Sequence, residues 1–264
     1  MKNLVRKLTD VLPTQPKVNK RISELEDSTI LVHQLHDAFR QQGGFPLPPK
    51  HLQLRITGAY SPDFIKHGEQ AVSDLNKMVD VRSFKRILDF GCGCARIIRA
   101  LHFTRNGHEL YGSDIDEEAI GWCQNNYQGM AEFYANPFEP PTKYPDGFFD
   151  LIYSISVFTH LPEDMQFRWL EELKRITRPG GQLVLTFHGK HALQTWPVAE
   201  QKMNSQEHGF LYLDLGETEG LPGFYKNAYH KHDYIRSEWG KYFEVLDIKE
   251  RAVHGFQDAA VLRA

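Results

Sequence analysis

Residues 86–96, Arg-Ile-Leu-Asp-Phe-Gly-Cys-Gly-Cys-Ala-Arg, constrain the fold of this chain more than any other stretch. The apolar residues on either side of Asp89 predict a short strand that is buried on both faces of a parallel sheet. Gly91 and Gly93 allow a tight turn, and apolar residues at helical spacing follow from Ile97. The segment therefore predicts a strand, a glycine turn and a helix, with bare backbone in the turn where a ligand can bind.

The pattern fits a dinucleotide-binding fingerprint poorly, because that fingerprint requires a third glycine where Arg96 stands. The segment instead resembles motif I of the class I S-adenosylmethionine (SAM)-dependent methyltransferases, in which Gly-x-Gly-x-Gly follows an acidic residue. Ala95 occupies the place of the last glycine. The resemblance implies that the end of the strand and the turn bind SAM, through Asp89, Gly91, Cys92 and Gly93.

A second strand is predicted over residues 109–114. It ends in Asp114, about 20 positions after the glycine turn, where a carboxylate can accept hydrogen bonds from both ribose hydroxyls of a nucleoside. The resembled family further implies that Ile115 lies against the adenine ring. It also implies that Asn136, followed by Pro137, lies near the adenine amino group.

The resemblance extends over roughly residues 84–190. A fourth strand is predicted to end at Ser154, which the family pattern places in the cofactor site, and a Pro-Gly-Gly turn at 179–181 precedes an apolar fifth strand. The implied fold class is α/β, a seven-stranded Rossmann-like methyltransferase sheet with helices on both faces. Its last strand is expected to run antiparallel between the fifth and the sixth.

The sequence predicts two regions, an N-terminal helical extension over residues 1–50 and a methyltransferase domain over residues 51–264. The extension is expected to act as a lid. An aromatic-rich insertion at about 190–231 exceeds what the minimal fold needs and is expected to form a substrate wall. Tyr60 or Arg55 could reach the methionine end of the cofactor, or both could be surface or packing residues.

Methyl transfer from a sulfonium requires alignment and, for a weakly acidic nucleophile, a base. His160, near the end of the fourth strand, and His188, at the end of the fifth, are the candidate catalytic bases. Each could equally be a structural histidine hydrogen-bonded to backbone. Between the two, the resemblance slightly favours His160, because the loop after the fourth strand commonly faces the transferred methyl in that family. No acidic cluster follows the fourth strand, so no metal ion is expected.

Composition excludes few functions. A formal net charge of -3 gives no electrostatic case for nucleic acid binding. No apolar run is long enough to span a bilayer, and the N-terminus lacks the apolar core of a signal peptide. The three cysteines predict neither a disulfide framework nor a zinc site, so a reducing cytoplasm is the expected location.

These observations predict a SAM-dependent methyltransferase that modifies a small-molecule or sugar acceptor, at oxygen. Two alternatives remain open at this stage. One is methylation of a protein or peptide, because the insertion could clamp a peptide. The other is a non-catalytic SAM-binding subunit. The sequence predicts neither the acceptor nor the oligomeric state.

Overall fold

The computed structural model describes residues 44–57, 63–104, 106–214, 223 and 225–264. Most of the predicted N-terminal extension and Tyr60 lie outside this part of the chain. Residues Pro48–Ala264 form one compact unit.

A seven-stranded sheet forms the centre of the described region, in the order β3-β2-β1-β4-β5-β9-β8. The first five strands run parallel, and β9 runs antiparallel between β5 and β8. This topology confirms the predicted sheet. The strands are β1 (Arg86–Phe90), β2 (Glu109–Asp114), β3 (Glu132–Ala135), β4 (Phe149–Ser154), β5 (Thr177–Phe187), β6 (Phe210–Leu213), β7 (Asn227–His230), β8 (Glu244–Val253) and β9 (Gln257–Arg263).

The central strands are buried because their side chains are apolar on both faces. Leu88 of β1 lies beside Tyr111 of β2 on one side and beside Ile152 of β4 on the other. Leu88 and Ile152 are both fully buried. Continuous apolar strands of this kind are the signature of a parallel sheet covered by helices, which is why the sequence predicted these strands well.

Eight α-helices lie within the described residues. They are α1 (Lys50–Thr57), α2 (Phe64–Asn76), α3 (Arg96–Phe103), α4 (Glu117–Asn126), α5 (Glu163–Ile176), α6 (Lys190–Gln194), α7 (Pro197–Asn204) and α8 (His232–Glu238). The Asp63 side chain accepts a hydrogen bond from the Lys66 N–H and so fixes the start of α2. Helix α1 lies just upstream of α2 in the chain, in a segment for which the sequence analysis made no helix prediction.

Gly68 lets α2 approach the start of α3 closely. A Cβ atom at this position would lie 2.5 Å from the carbonyl oxygen of Arg96. Any larger residue would push the two helices apart, because real Cβ atoms do not approach backbone oxygen so closely. The contact fixes the position of the Arg96 backbone against α2.

The described part of the insertion contains α6, α7 and a small antiparallel sheet made of β6 and β7. The sheet lies against the loops that follow β4 and β5. The Ala228 N–H donates to the Thr159 carbonyl at 2.8 Å, and the His230 N–H donates to the His188 carbonyl at 2.8 Å. Strand β7 therefore holds the two loops that carry the candidate bases.

Candidate active site

A cavity of about 440 Å³ opens at the carboxyl ends of β1, β2 and β4. This is the edge at which open α/β sheets bind ligands. Its walls come from α1, the glycine turn, the ends of the strands and the insertion. Eight residues assigned from the sequence line it: Asp89, Gly91, Cys92, Gly93, Asp114, Ile115, Asn136 and His160.

Three other assigned residues do not line this cavity. Ser154 is fully buried inside β4, and His188 is 8% exposed at the end of β5. Pro137 follows Asn136, which lines the cavity, but Pro137 itself is not part of the wall. The sequence placed all three at the correct edge of the sheet, but position in the chain does not show which side chains face the opening.

The glycine turn presents bare backbone to the cavity, as predicted. Gly91 and Gly93 have φ values of +85° and +51°, in the left-handed region that favours glycine. A Cβ at Gly91 would lie 2.2 Å from Cγ2 of Val157, and one at Gly93 would lie 2.1 Å from Cγ2 of Ile56. Ala95 takes the same region with φ +63°, which costs about 1 kcal/mol for a residue with a Cβ.

Asp114 is fixed against the turn by backbone donors. Its Oδ2 accepts from the Gly93 N–H at 2.7 Å, and its Oδ1 accepts from the Asp116 N–H at 2.9 Å. The Ile115 N–H is a third backbone donor to this carboxyl, whose two oxygens have about four lone-pair sites, so an acceptor site remains. Burial of this carboxyl raises its pKa. The group is oriented and desolvated, as a carboxylate that binds a ribose diol must be.

The part of the cavity wall that follows β3 contains a hydrogen-bond acceptor without a donor. Asn136 is 6% exposed, and its Nδ2 donates to the Pro137 carbonyl at 2.9 Å. Its Oδ1 is buried with no hydrogen-bond partner. A buried amide oxygen without a donor is costly, and the amino group of adenine is a donor of the required kind. Ile115 and the half-exposed Phe138 supply apolar surface beside it.

Asp89 and Arg96 line the cavity where β1 ends and α3 begins. Asp89 is 2% exposed, and burial, with a smaller contribution from the charge of Asp114, raises its pKa to about 8. Arg96 was noted in the sequence only because it broke a glycine pattern. Its place in the wall depends on the packing of α2 against α3, which the sequence does not encode locally.

His160 is held in one tautomer. Its Nδ1 lies 2.8 Å from the carbonyl oxygen of Lys226. Because a carbonyl only accepts, Nδ1 must carry the proton and Nε2 must carry the free lone pair. The ring stacks on Tyr225 with 4.0 Å between ring centroids. Burial lowers the pKa of His160 to about 4, so the ring is neutral at physiological pH.

His188 has a different environment. Its ring centroid lies 6.0 Å from that of His160 and 5.3 Å from that of Tyr229. Its Nδ1 is buried without a hydrogen-bond partner, and burial lowers its pKa to about 3. Of the two candidate bases, only His160 lines the cavity.

Further wall residues escaped the sequence analysis. Tyr225 had a signal, because the aromatic density of the insertion was noted. Ile56 and Trp169 had none beyond ordinary apolar character. Arg55, for which the sequence left open a cofactor contact or a surface position, lines the wall. The other wall residues that were not assigned to the cofactor or to catalysis are Ile56, Phe90, Arg96, Ile97, Asp116, Phe138, Ile155, Ser156, Val157, Leu161, Trp169 and Tyr225.

In the part of the chain that the structure describes, no group of three or more His, Cys, Asp or Glu side chains is arranged to hold a metal ion. None of the helices in that part of the chain combines the length and the apolar character needed to cross a membrane.

Residues 88–185 match the protein family described as "Methyltransferase domain". The matched span contains the glycine turn, Asp114, Asn136 and His160, all of which line the cavity. This match and the shared sheet topology support a class I SAM-dependent methyltransferase. SAM is the cofactor of this family, and the residues present fit it. Gly91 and Gly93 line the cavity, Asp114 keeps an acceptor site, and the Asn136 oxygen lacks a donor.

Solved methyltransferases share the fold. A Haloferax volcanii methyltransferase, solved in complex with the Trm112 methyltransferase activator, matches with a TM-score of 0.58 at 16% identity. The match covers 83% of this chain and 99% of the Haloferax chain. A SAM-dependent methyltransferase of Mesorhizobium loti has a TM-score of 0.52 at 12% identity, with 74% and 98% covered. Identities this low establish the fold and nothing finer.

The curated relatives match this chain over only part of their length. The tocopherol O-methyltransferase of Arabidopsis thaliana is 24% identical over 168 residues, which are 58% of this chain and 47% of the relative. A rice protein named for the same activity is 31% identical over 107 residues, which are 38% of this chain and 28% of the relative. The chain thus spans less than half the length of either relative.

Proposed function

We propose that this methyltransferase is an active enzyme that transfers the SAM methyl group to a hydroxyl oxygen of a small molecule, with His160 as the general base. The observation that carries the proposal is the fixed tautomer of His160. Its Nδ1–H is held by the Lys226 carbonyl, and the residue lines the cofactor cavity. The lone pair of Nε2 is therefore available for a proton from an acceptor.

The cofactor's place follows from the order of the strands. The carboxylate of Asp114 would hold the ribose, and the Asn136 oxygen would accept from the adenine amino group between Ile115 and Phe138. The backbone of Gly91 and Gly93 would lie against the ligand. Bound SAM supplies a methyl group on an electrophilic sulfonium, so the protein's own contribution is alignment, exclusion of water and removal of a proton.

The low basicity of His160 favours an acidic hydroxyl. Its partner is a neutral carbonyl rather than a carboxylate, and burial holds its pKa at about 4. Proton transfer to such a base is much less unfavourable from a phenol, whose pKa is about 10, than from an alkyl hydroxyl. The acceptor we propose is therefore a phenol or an enol of similar acidity rather than a sugar.

The walls suit a flat aromatic acceptor. Tyr225 stacks on the ring of His160, and Trp169 and Leu161 also line the cavity. Apolar walls with one polar group at the reacting position are typical of small-molecule sites. The two curated relatives named as tocopherol O-methyltransferases support transfer to oxygen.

The test is a transfer assay with methyl-labelled SAM and matched panels of phenols, sugars, amines and peptides. We expect label on phenolic oxygen. His160→Ala should lower single-turnover transfer by about 10²-fold, while the affinity for S-adenosylhomocysteine stays within about threefold. His188→Ala, the matched histidine outside the cavity, should reduce transfer much less.

Three outcomes would contradict the proposal. Labelled peptide or amine would identify a different acceptor class. Unchanged transfer by the His160→Ala variant would show that His160 is not the general base. Cofactor binding without transfer to any panel would favour the alternative of a non-catalytic SAM-binding subunit.

A further inference from the structure

Gln166 is a polar residue on the buried face of α5. The buried side chains of this helix recur three or four positions apart, and Gln166 stands four positions before Leu170 and seven before Leu173. Its side chain has no exposed surface, at 0%. A buried amide is stable only when its donors and its acceptor have partners. The partners of Gln166 therefore indicate why a polar side chain stands in an apolar row.

Both amide protons of Gln166 hold the loop that follows β4. Nε2 lies 3.1 Å from the carbonyl oxygen of Phe158 and 3.0 Å from that of Leu161. Because carbonyls only accept, the nitrogen end of the amide must face them, and its two N–H donors match the two acceptors. Thr159 and His160 lie between these two residues. One side chain thus closes the short segment that carries the proposed base.

The amide oxygen of Gln166 faces the insertion. Oε1 lies 3.0 Å from Nε2 of His230, the last residue of β7. An amide oxygen only accepts, so Nε2 carries the ring proton of His230. This ring is neutral, because complete burial lowers the pKa of His230 to about 3. Gln166 therefore joins its own helix to two other elements, the loop after β4 and strand β7.

The loop and β7 also meet at His160. The Thr159 carbonyl accepts from the Ala228 N–H at 2.8 Å. The carbonyl of Lys226, just before β7, accepts the proton on Nδ1 of His160 at 2.8 Å. The position of the His160 ring, and the bond that fixes its tautomer, thus depend on how the loop lies against β7. Gln166 spans the same two elements from the side of α5.

We propose that Gln166 is a positioning residue for methyl transfer. It fixes the loop after β4 against β7, so that His160 keeps its proton on Nδ1 and presents Nε2 to the acceptor. Without the amide, two carbonyls and the ring N–H of His230 lose their partners, and the loop must shift or admit water to satisfy them. A shift of about 1 Å in a catalytic group slows a reaction by as much as about 10²-fold. This inference rests on the proposed role of His160 and deepens it.

The test compares Gln166→Met with the wild-type protein, because methionine is a flexible side chain of similar length without amide donors. The acceptor is the phenol that takes up most label in the panel above. Single-turnover transfer at saturating SAM and phenol should fall by about 10-fold or more. The affinity for S-adenosylhomocysteine should stay within about threefold, since Gln166 does not line the cavity.

The second readout is the tautomer of His160, measured by nitrogen NMR of histidine-labelled protein. The signals of this ring are those that disappear in His160→Ala. In the wild-type protein the ring should carry its proton on Nδ1 alone, and in Gln166→Met both tautomers should be present. A residue that contributes only to overall stability would leave the tautomer of the folded protein unchanged.

Thr177→Val is the matched control. Thr177 is 4% exposed, follows the carboxyl end of α5, lies outside the cavity wall and donates from Oγ1 to the Leu173 carbonyl at 2.6 Å. The substitution removes a buried side-chain hydrogen bond with little change in shape. It should lower the melting temperature but leave transfer and the tautomer unchanged. His230→Phe removes only the bond to Oε1 and should slow transfer less than Gln166→Met does. It is the decisive variant if circular dichroism shows that Gln166→Met is unfolded.

The inference is overturned if the folded variant transfers as fast as the wild-type protein, or more slowly with the tautomer unchanged. It is also overturned if Thr177→Val slows transfer and mixes the tautomers to the same extent. In these cases the proposed function stands as long as His160→Ala is slow. Wild-type transfer by His160→Ala would instead overturn the assignment of the base, and this inference with it.

Discussion

Single residues set the chemistry of the cavity, and the sequence located them to different degrees. Asp114 was assigned from its distance to the glycine turn, and the structure places its carboxylate on the Gly93 N–H. For the two candidate bases, the resemblance favoured His160 over His188 only slightly. Both follow apolar strands, and which of them lines the cavity depends on tertiary packing that the local sequence does not report.

Gly93 is predicted to tolerate no side chain. In Gly93→Val the new Cβ would lie 2.1 Å from Ile56 and the residue would keep φ +51°, so α1 must move off the turn. We expect affinity for S-adenosylhomocysteine to fall by about 10-fold or more in calorimetry, with the sheet intact. Gly121→Ala, on α4 with no atom within 4 Å of the new Cβ, is the control and should keep wild-type affinity. Wild-type affinity in Gly93→Val would contradict the turn's role.

The pH dependence of transfer should follow His160. The neutral ring is the base, and with a pKa of about 4 it stays neutral down to about pH 5. Single-turnover transfer at saturating SAM should therefore change little between pH 8 and pH 5 and fall as the pH drops through about 4. An unshifted histidine would already lose activity below about pH 6.5. A fall centred near pH 6.5 would show that His160 is not the base, or that the bound acceptor resets its pKa.

At the scale of secondary-structure elements, the apolar runs and turn residues in the sequence predicted the main sheet. The hairpin of β6 and β7 in the insertion was not predicted. Strands β6 and β7 are four residues each, are mixed in polarity and pair across a 13-residue interval. Their stability comes from the loops after β4 and β5, through bonds such as Ala228 N–H to the Thr159 carbonyl. A short strand whose partners are distant in sequence leaves no periodic signal of its own.

Helix α1 covers the glycine turn and is fastened by ion pairs. Arg55 contacts Asp116 at 3.0 Å and Glu118 at 2.6 Å, and His51 contacts Glu118 at 2.9 Å. Exposed pairs of this kind are individually weak and are screened by salt. Arg55→Gln should therefore speed dissociation of S-adenosylhomocysteine by about two- to tenfold in stopped-flow measurements.

Added salt should speed dissociation from the wild-type protein but have a smaller effect on Arg55→Gln. Arg82→Gln removes an equally exposed pair, with Asp80, outside the cavity wall, and should leave the rate unchanged. Equal rates for all three proteins at low salt would show that α1 does not retain the cofactor.

At the scale of the whole molecule, the described residues are built around a seven-stranded sheet whose carboxyl edge carries the cavity. A ligand that binds only the folded state raises the protein's free energy of unfolding by mass action. The family match and the cavity residues lie in the same span, 88–185, apart from the contributions of α1 and Tyr225. Tyr225 comes from the insertion that was predicted to form a substrate wall, and α1 comes from a segment for which no helix was predicted.

Calorimetric titration of S-adenosylhomocysteine into the wild-type protein and Asp114→Ala tests the central claim most directly. The account predicts one site per chain in the wild-type protein and a loss of at least about 10-fold in Asp114→Ala, because a buried charge-assisted acceptor for the ribose is removed. Asp164→Ala, which removes a carboxylate that is 70% exposed and pairs with Arg168, is the control and should bind normally. No binding by folded wild-type protein, or equal binding by Asp114→Ala, would contradict the account.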